Sequence, residues 1–244
     1  MKLKLINPNT NRSMTKEIES HARHFARLDT EVYAVSPATG PESIESMYDE
    51  VLAVPGVISE IIKGDREEGA DAFVIACFGD PGLEAAKEIT DKPVIGIAQA
   101  AFSVAKLIAP NFSIVYVLSR SEAVVRNALH LHGAESACRS CRSTGLGVLE
   151  FSRNHDAGLQ ALSEQSRLCM ELDGAECIVL GCAGFVQFAK QLNEQLPIPV
   201  LDGVGPAVKL CEALVDMGLK TSKHSLWAKP EIKEILGLHD VVKF

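Results

Sequence analysis

Twice in this chain a short apolar run climbs to a cysteine and breaks at once into glycine. Asp71–Leu83 reads DAFVIACFGDPGL, with Cys77 followed by Phe78-Gly79, and Glu176–Phe185 reads ECIVLGCAGF, with Cys182 followed by Ala183-Gly184. An apolar run that stops at such a turn is a strand delivering a side chain to the mouth of a parallel sheet, where open α/β folds bind ligands. Two thiols at matching places in a repeat are expected to face each other. A thiolate on one side of a carbon acid and a thiol on the other can remove a proton from one face and return one to the opposite face, which inverts a stereocentre. Free cysteine has a pKa of about 8.5, so the thiolate is the minor form at neutral pH. A strand-to-helix turn favours the anion, because unpaired N–H groups of a first helical turn carry partial positive charge. No metal or organic cofactor is required if a neighbouring carbonyl acidifies the C–H and its developing oxyanion meets donors. Gly79, Gly184 and the Asn7–Asn9 loop are the expected sources of those donors.

The other candidates have plainer readings. Cys169, Cys177 and Cys211 fall on apolar positions, where cysteine serves as a small hydrophobe. Cys138 and Cys141 form a C-x-x-C with no second pair at ligand spacing, so a zinc or redox role is set aside. His21 and His24 are read as a solvated helix face, and His130 and His132 as residues near a helix end. Asp80, before Pro81, is read as a cap or turn residue rather than an acid catalyst. Glu42, Glu45, Asp49 and Glu50 make an acidic cluster expected to be exposed, while Ser43, Ile44 and Tyr48 follow a glycine loop and could reach over a cleft.

What must position the two thiols is a pair of similar half-chains. Residues 2–6 form a strand ending at Asn7-Pro8-Asn9, with a helix after it that Asn11 or Ser13 can cap, since Met14, Ile18, His21, Ala22 and Phe25 recur at helical spacing. A strand at 30–36, the loop PATGP, and a helix from Ser43 to Gly64 with Ile44, Met47, Tyr48, Val51, Leu52 and Val57 on one face come next. A strand at 73–77, a helix at 83–89 and a strand at 93–97 complete the first half. Residues 112–118 restart the pattern and end at Ser119-Arg120-Ser121, which makes Ser119 the counterpart of the Asn7 loop. PVIGI at 93–97 is echoed by PVLDG at 199–203, and the intervals from each cysteine to that proline are 16 and 17 residues. Such alternation predicts right-handed crossovers and parallel sheets flanked by helices, an α/β fold of two pseudo-symmetric lobes with the site in the cleft between them. Residues 1–97 plus 208–244 are expected to form a discontinuous first lobe and 98–207 the second. Residues 136–152 show no clear period and are read as loop, 156–172 and 203–218 as helices, and 231–238 as a short helix in a tail that packs back on the first lobe.

Composition narrows the classes. The 244 residues carry a net charge of −8, 5% aromatics and no basic cluster, which argues against a nucleic-acid partner. The apolar run before Asn7-Pro8 is too short for a signal h-region, and no stretch approaches the roughly 18 apolar residues of a membrane span. Seven cysteines without an export signal point to reduced thiols and a cytoplasmic location, with no membrane association.

INPNT (6–10), GPESIES (40–46), ACFGDPGL (76–83), VLGCAG (179–184) and PVLDGV (199–204) together resemble the aspartate/glutamate racemase superfamily, and within it the hydantoin and allantoin racemases. The resemblance covers most of the chain and is weakest at 136–151 and in the last dozen residues. It implies two pseudo-symmetric α/β lobes, cofactor-independent two-base racemisation and a homo-oligomer. Carried over residue by residue, Cys77 and Cys182 become the acid/base pair, with Asn7, Pro8, Asn9, Phe78, Gly79, Gly181, Ala183, Gly184 and Phe185 lining the pocket. Amino-acid racemases of the superfamily usually follow each cysteine with Thr or Asn side chains that grip an α-carboxylate, whereas Phe78-Gly79 and Ala183-Gly184 stand here. That departure points to a flat, neutral cyclic ureide such as allantoin. The competing readings are an amino-acid racemase or dicarboxylate decarboxylase or isomerase on the same scaffold, and a non-catalytic small-molecule binding protein.

Overall fold

The computed structural model describes residues 1–234. Its first half runs β1 (Lys2–Ile6), α1 (Arg12–Phe25), β2 (Glu31–Val35), α2 (Met47–Lys63), β3 (Ala72–Ile75), α3 (Leu83–Ile89), β4 (Val94–Gly96) and α4 (Ile97–Ile108). The second half runs β5 (Phe112–Tyr116), α5 (Glu122–Leu131), β6 (Cys138–Ser143), α6 (Glu150–Arg153), α7 (His155–Glu171), β7 (Ile178–Leu180), α8 (Ala189–Gln195), β8 (Val200–Leu201) and α9 (Val204–Asp216). Two four-stranded sheets result, ordered β2-β1-β3-β4 and β6-β5-β7-β8, and every pairing is parallel. Among the described residues no helix is long and apolar enough to cross a membrane.

Side chains alternate across each strand, so one sheet serves two cores. Leu3 and Leu5 of β1 join Ile18, Ala22 and Val74 on one face, while Ile6 joins Val57, Ile61 and Phe73 on the other. Lys4 shares the Ile6 face and is fully buried, a polar position inside a core rather than the exposed side of the strand. Its ammonium is matched by Glu60 at 2.8 Å and Glu68 at 2.7 Å, the pairing a buried cation requires. Asn11 caps α1, its Oδ1 accepting from the Met14 N–H at 3.0 Å.

The face expected for α2 differs from the one observed. Met47, Tyr48, Val51 and Leu52 are exposed, and burial begins with Ala53, Gly56 and Val57. The first two turns of α2 run past the sheet toward α5, where Asn127 touches Met47 at 3.7 Å, so only the later turns meet the core. Residues 138–143 are a strand rather than a loop, paired parallel to β5. The tail helix expected at 231–238 is not found over 231–234, and its remainder lies outside the described residues. Before it, Thr221 N–H donates to Asp91 O at 2.7 Å and Trp227 Nε1 donates to Glu84 at 2.8 Å, which seats 221–227 beside α3.

The last helix of each half crosses to the other sheet. Ala98, Ala101, Phe102 and Ala105 of α4 pack with Phe112, Ile114 and Val179 of the second sheet. Val204, Ala207 and Val208 of α9 pack with Leu3, Leu5 and Val74 of the first, and the Cys211 thiol donates to Phe73 O at 3.6 Å. The two crossings touch. A Cβ on Gly203 would stand 2.3 Å from Ile97 O, a backbone atom that no rotamer change can move aside. Gly203→Ala is therefore expected to destabilise the fold by about 1–3 kcal/mol, as overpacked sites do, and so to lower Tm by several degrees in a thermal melt. An unchanged Tm would mean the crossings separate without cost.

Candidate active site

Cys77 and Cys182 stand two residues beyond the ends of β3 and β7, strands in matching positions of the two sheets. Both line one cavity, with about 40 Å³ open to a water-sized molecule. Ala76, Phe78 and Gly79 line it beside Cys77, and Gly181 and Ala183 beside Cys182. Phe78 is set by an edge-on contact with Phe102, ring centres 5.4 Å apart.

The electrostatics run opposite to the sequence expectation. Burial pushes the Cys77 thiol far above its ordinary value, with the Glu50 carboxylate adding to the effect and the Gly79 N–H opposing it. Burial likewise pushes Cys182 up to about 12, against a hydrogen bond from the Gly184 N–H at 3.4 Å. The reason is local geometry. The turn after Cys77 passes through Asp80 and Gly82 before α3 begins at Leu83, and Cys182 caps only a single 3-10 turn, so neither sulfur sits on a full helix terminus. The Gly79 and Gly184 N–H groups, expected to serve an oxyanion, point at the sulfurs instead.

The amide donor facing the cavity comes from the loop after β1. Asn9 Oδ1 accepts from Asn7 Nδ2 at 2.8 Å and from the Asn11 N–H at 2.9 Å, which fixes which end of the amide is oxygen. Among the described residues Asn9 Nδ2 is left with only the Met14 thioether at 3.3 Å, a weak acceptor. Asn9, Met14 and Asn7 all line the cavity. Asn7 Nδ2 also donates to Thr15 Oγ1 at 3.0 Å, so its own amide is occupied in holding the loop.

Two loops close the cavity. Ile44 and Glu45, ahead of α2, and Val148, ahead of α6, line it from topologically equivalent positions, the first loop after β2 and the second after β6. They are latched together. The Val148 N–H donates to Glu45 Oε1 at 2.7 Å, and Ser121 Oγ donates to Glu45 O at 2.8 Å. Of the residues expected to line the pocket, Asn7, Asn9, Ile44, Phe78, Gly79, Gly181 and Ala183 do so with the two cysteines. Pro8, Tyr48, Ser119, Gly184 and Phe185 do not. Tyr48 is 72% exposed because the first turns of α2 leave the core, and Ser121 rather than Ser119 reaches the cavity. Phe185 is fully buried against Phe151, ring centres 4.5 Å apart. Tyr116, Val124, Val125 and Val148 are lining residues the sequence did not single out, and Glu45 lines the cavity where an exposed position was expected; the repeat of a loop after each second strand was the signal that could have found Val148.

Of the acidic cluster only Glu42 is exposed as expected, while Glu45, Asp49 and Glu50 are half-buried. Glu50 turns inward until its Oε1 occupies the place a Cβ on Gly79 would take, and among the described residues this buried oxygen has no hydrogen-bond partner. Burial and the charge of Asp80 raise its pKa to about 7. Asp80, with φ of 49°, caps α4 rather than α3, accepting from the Ala98 N–H at 3.0 Å and the Gln99 N–H at 2.9 Å. His132 Nε2 meets the same carboxylate at 2.9 Å, and the Asp80 N–H donates to Cys77 O at 3.0 Å, so this buried pair fixes the Cys77 turn. The second crossing brings together a similar pair, though without a hydrogen bond between them. Asp202 accepts from the Val204 and Gly205 N–H groups at 2.8 and 2.9 Å, and His21 Nε2 lies 3.1 Å from its other oxygen. His21 and His132 thus face carboxylates across the lobes, where a solvated face and a dipole contact were expected.

Matched parallel sheets bring the two thiols to one cavity of an α/β protein. The sequence profile of the Asp/Glu/hydantoin racemase family matches residues 3–211, and the chain belongs to that family. It is 50% identical over 237 residues to a hydantoin racemase of Pseudomonas sp. (strain NS671), covering 97% of this chain and 95% of that protein. Among solved structures, allantoin racemase from Klebsiella pneumoniae superposes with a TM-score of 0.96 at 42% identity, over 100% of both chains. Glutamate racemase from Francisella tularensis shares the fold, with a TM-score of 0.65 at 15% identity, over 98% of each chain.

Proposed function

We propose that the protein is a cofactor-independent racemase of 5-substituted hydantoins, allantoin among them, in which Cys77 and Cys182 exchange the C5 proton. The observation that carries this reading is that the two cysteines, each two residues past equivalent strands, line one cavity. The high identity to a hydantoin racemase and an allantoin racemase supports the substrate class. One sulfur, as thiolate, takes the C5 proton from its face of the ring. The electron pair left on C5 spreads onto the adjacent carbonyl oxygen, where Asn9 Nδ2 can donate. The other sulfur, as thiol, gives its proton to the opposite face. Asn7, Ile44, Phe78, Gly79, Gly181 and Ala183 form the walls in this proposal, and Pro8, Tyr48, Ser119, Gly184 and Phe185 lie outside that lining.

An amino-acid substrate is disfavoured by the cavity's charge. Among the described residues no Arg or Lys lines it, and Glu45 does, so an α-carboxylate finds no cationic partner among them. The test is a screen of allantoin, alkyl and aryl hydantoins, aspartate and glutamate in D2O, reading optical rotation and deuterium at the acidic carbon. Loss of rotation with deuterium uptake for the cyclic ureides and none for the amino acids is expected. Racemisation of aspartate or glutamate alone would overturn the assignment, and tight binding without exchange would favour a binding protein.

A further inference from the structure

We propose that Cys138 and Cys141 form a dithiol site that low-molecular-weight disulfides oxidise to an intramolecular disulfide. Residues three apart on a regular strand point to opposite faces. Here β6 bulges. Phe112 pairs with Cys138 and Ile114 with Cys141, so three steps along β6 match two along β5, and both cysteines come to the same side. Their sulfurs lie 3.8 Å apart. Both residues are half-buried, whereas Cys169, Cys177 and Cys211 are fully buried. They line a hollow of about 140 Å³ whose walls include Arg126, Glu135 and Arg139. Among the described residues β6 is an edge strand, paired on one side only, so the bulge can tighten without breaking a second ladder.

The two sulfurs are not equivalent. A hydrogen bond from Cys138 and the nearby Arg126 guanidinium hold the Cys141 thiol below its ordinary pKa, against the cost of burial. Cys141 is therefore the attacking sulfur. Its thiolate displaces one thiolate from the small disulfide and forms a mixed disulfide. Cys138 then attacks Cys141 Sγ, its proton leaving with the second small thiol. Two protein thiols are oxidised by two electrons and one disulfide is reduced to two thiols. Metal binding is the poorer reading, because among the described residues no three His, Cys, Asp or Glu side chains gather as a ligand set.

Trypsin cuts at Arg139, between the two cysteines, so the bond joins peptides 127–139 and 140–142, which separate on reduction. The folded chain is incubated with oxidised glutathione, blocked with an alkylating agent and digested. The expected result is that joined pair, with the loss of two hydrogens from the intact mass. Cys138→Ser is expected to keep one glutathione on Cys141, because the resolving thiol is gone, and Cys141→Ser to take up none on Cys138. Free thiols at both positions after exposure, or a stable glutathione adduct in the unaltered chain, would overturn the proposal. So would equal glutathione uptake by the two variants.

Discussion

Cys77→Ser and Cys182→Ser are each expected to lower racemisation of both enantiomers by about 10²–10⁴-fold, the contribution of a positioned proton-transfer group. Both enantiomers are affected because inversion in either direction passes through both sulfurs, one as base and the other as acid. Deuterium exchange divides the two roles. The sulfur left in a single variant can still remove and return a proton on its own face, so in D2O one enantiomer should exchange C5–H with retention while its mirror image stays unlabelled. The other variant should show the opposite preference. NMR of the C5 signal beside polarimetry makes the measurement, and equal exchange of both enantiomers in either variant would exclude the two-base mechanism. Both thiols carry raised pKa values in the closed cavity, Cys182 at about 12. A raised thiol pKa means the thiolate fraction grows with pH, so kcat/KM should climb from neutral into alkaline solution. Glu50, ionising near 7, opposes this by placing a negative charge beside Cys77. Glu50→Gln should accordingly shift the rising limb to lower pH.

The repeat made most of this arrangement legible. Apolar runs ending in Cys and Gly located β3 and β7, and the echo of 93–97 in 199–203 located β4 and β8, because buried parallel strands are short and continuous in hydrophobicity. β6 stayed hidden. Cys-Arg-Ser-Cys-Arg-Ser has no apolar run and no alternation, since it is a bulged edge strand whose exposed side carries Arg139. Glu50 and Glu45 were hidden for a different reason. Charge in sequence predicts solvent, and only the close passage of α2 and its preceding loop over the cysteine turns removes these carboxylates from it. His21 and His132 were misread in the same way, because each finds its aspartate more than 50 residues away, on the far side of a helix exchange that no local pattern announces.

The two sides of the cavity are also chemically unequal. The loop after β1 supplies Asn9, while its counterpart after β5 supplies Val117 and Ser121, and the serine hydroxyl is already spent on Glu45 O. A carbonyl oxygen gaining charge between the sulfurs therefore has one side-chain amide to turn to. Asn9→Asp keeps the shape and, as carboxylate, can still accept from Asn7 Nδ2 and the Asn11 N–H, so the loop should hold. It removes the donor and sets an anion where the transition state is negative. A fall in kcat of at least about 10²–10³-fold is expected, the loss seen when an oxyanion donor is removed, with Tm near that of the unaltered chain. Asn9→Ala should lose the donor without adding the charge and so fall less far in kcat, but it also loosens the loop. Near-normal kcat in Asn9→Asp would mean that the charge on the ring is met by some other group, and Asn9 would revert to a structural residue of the β1 loop.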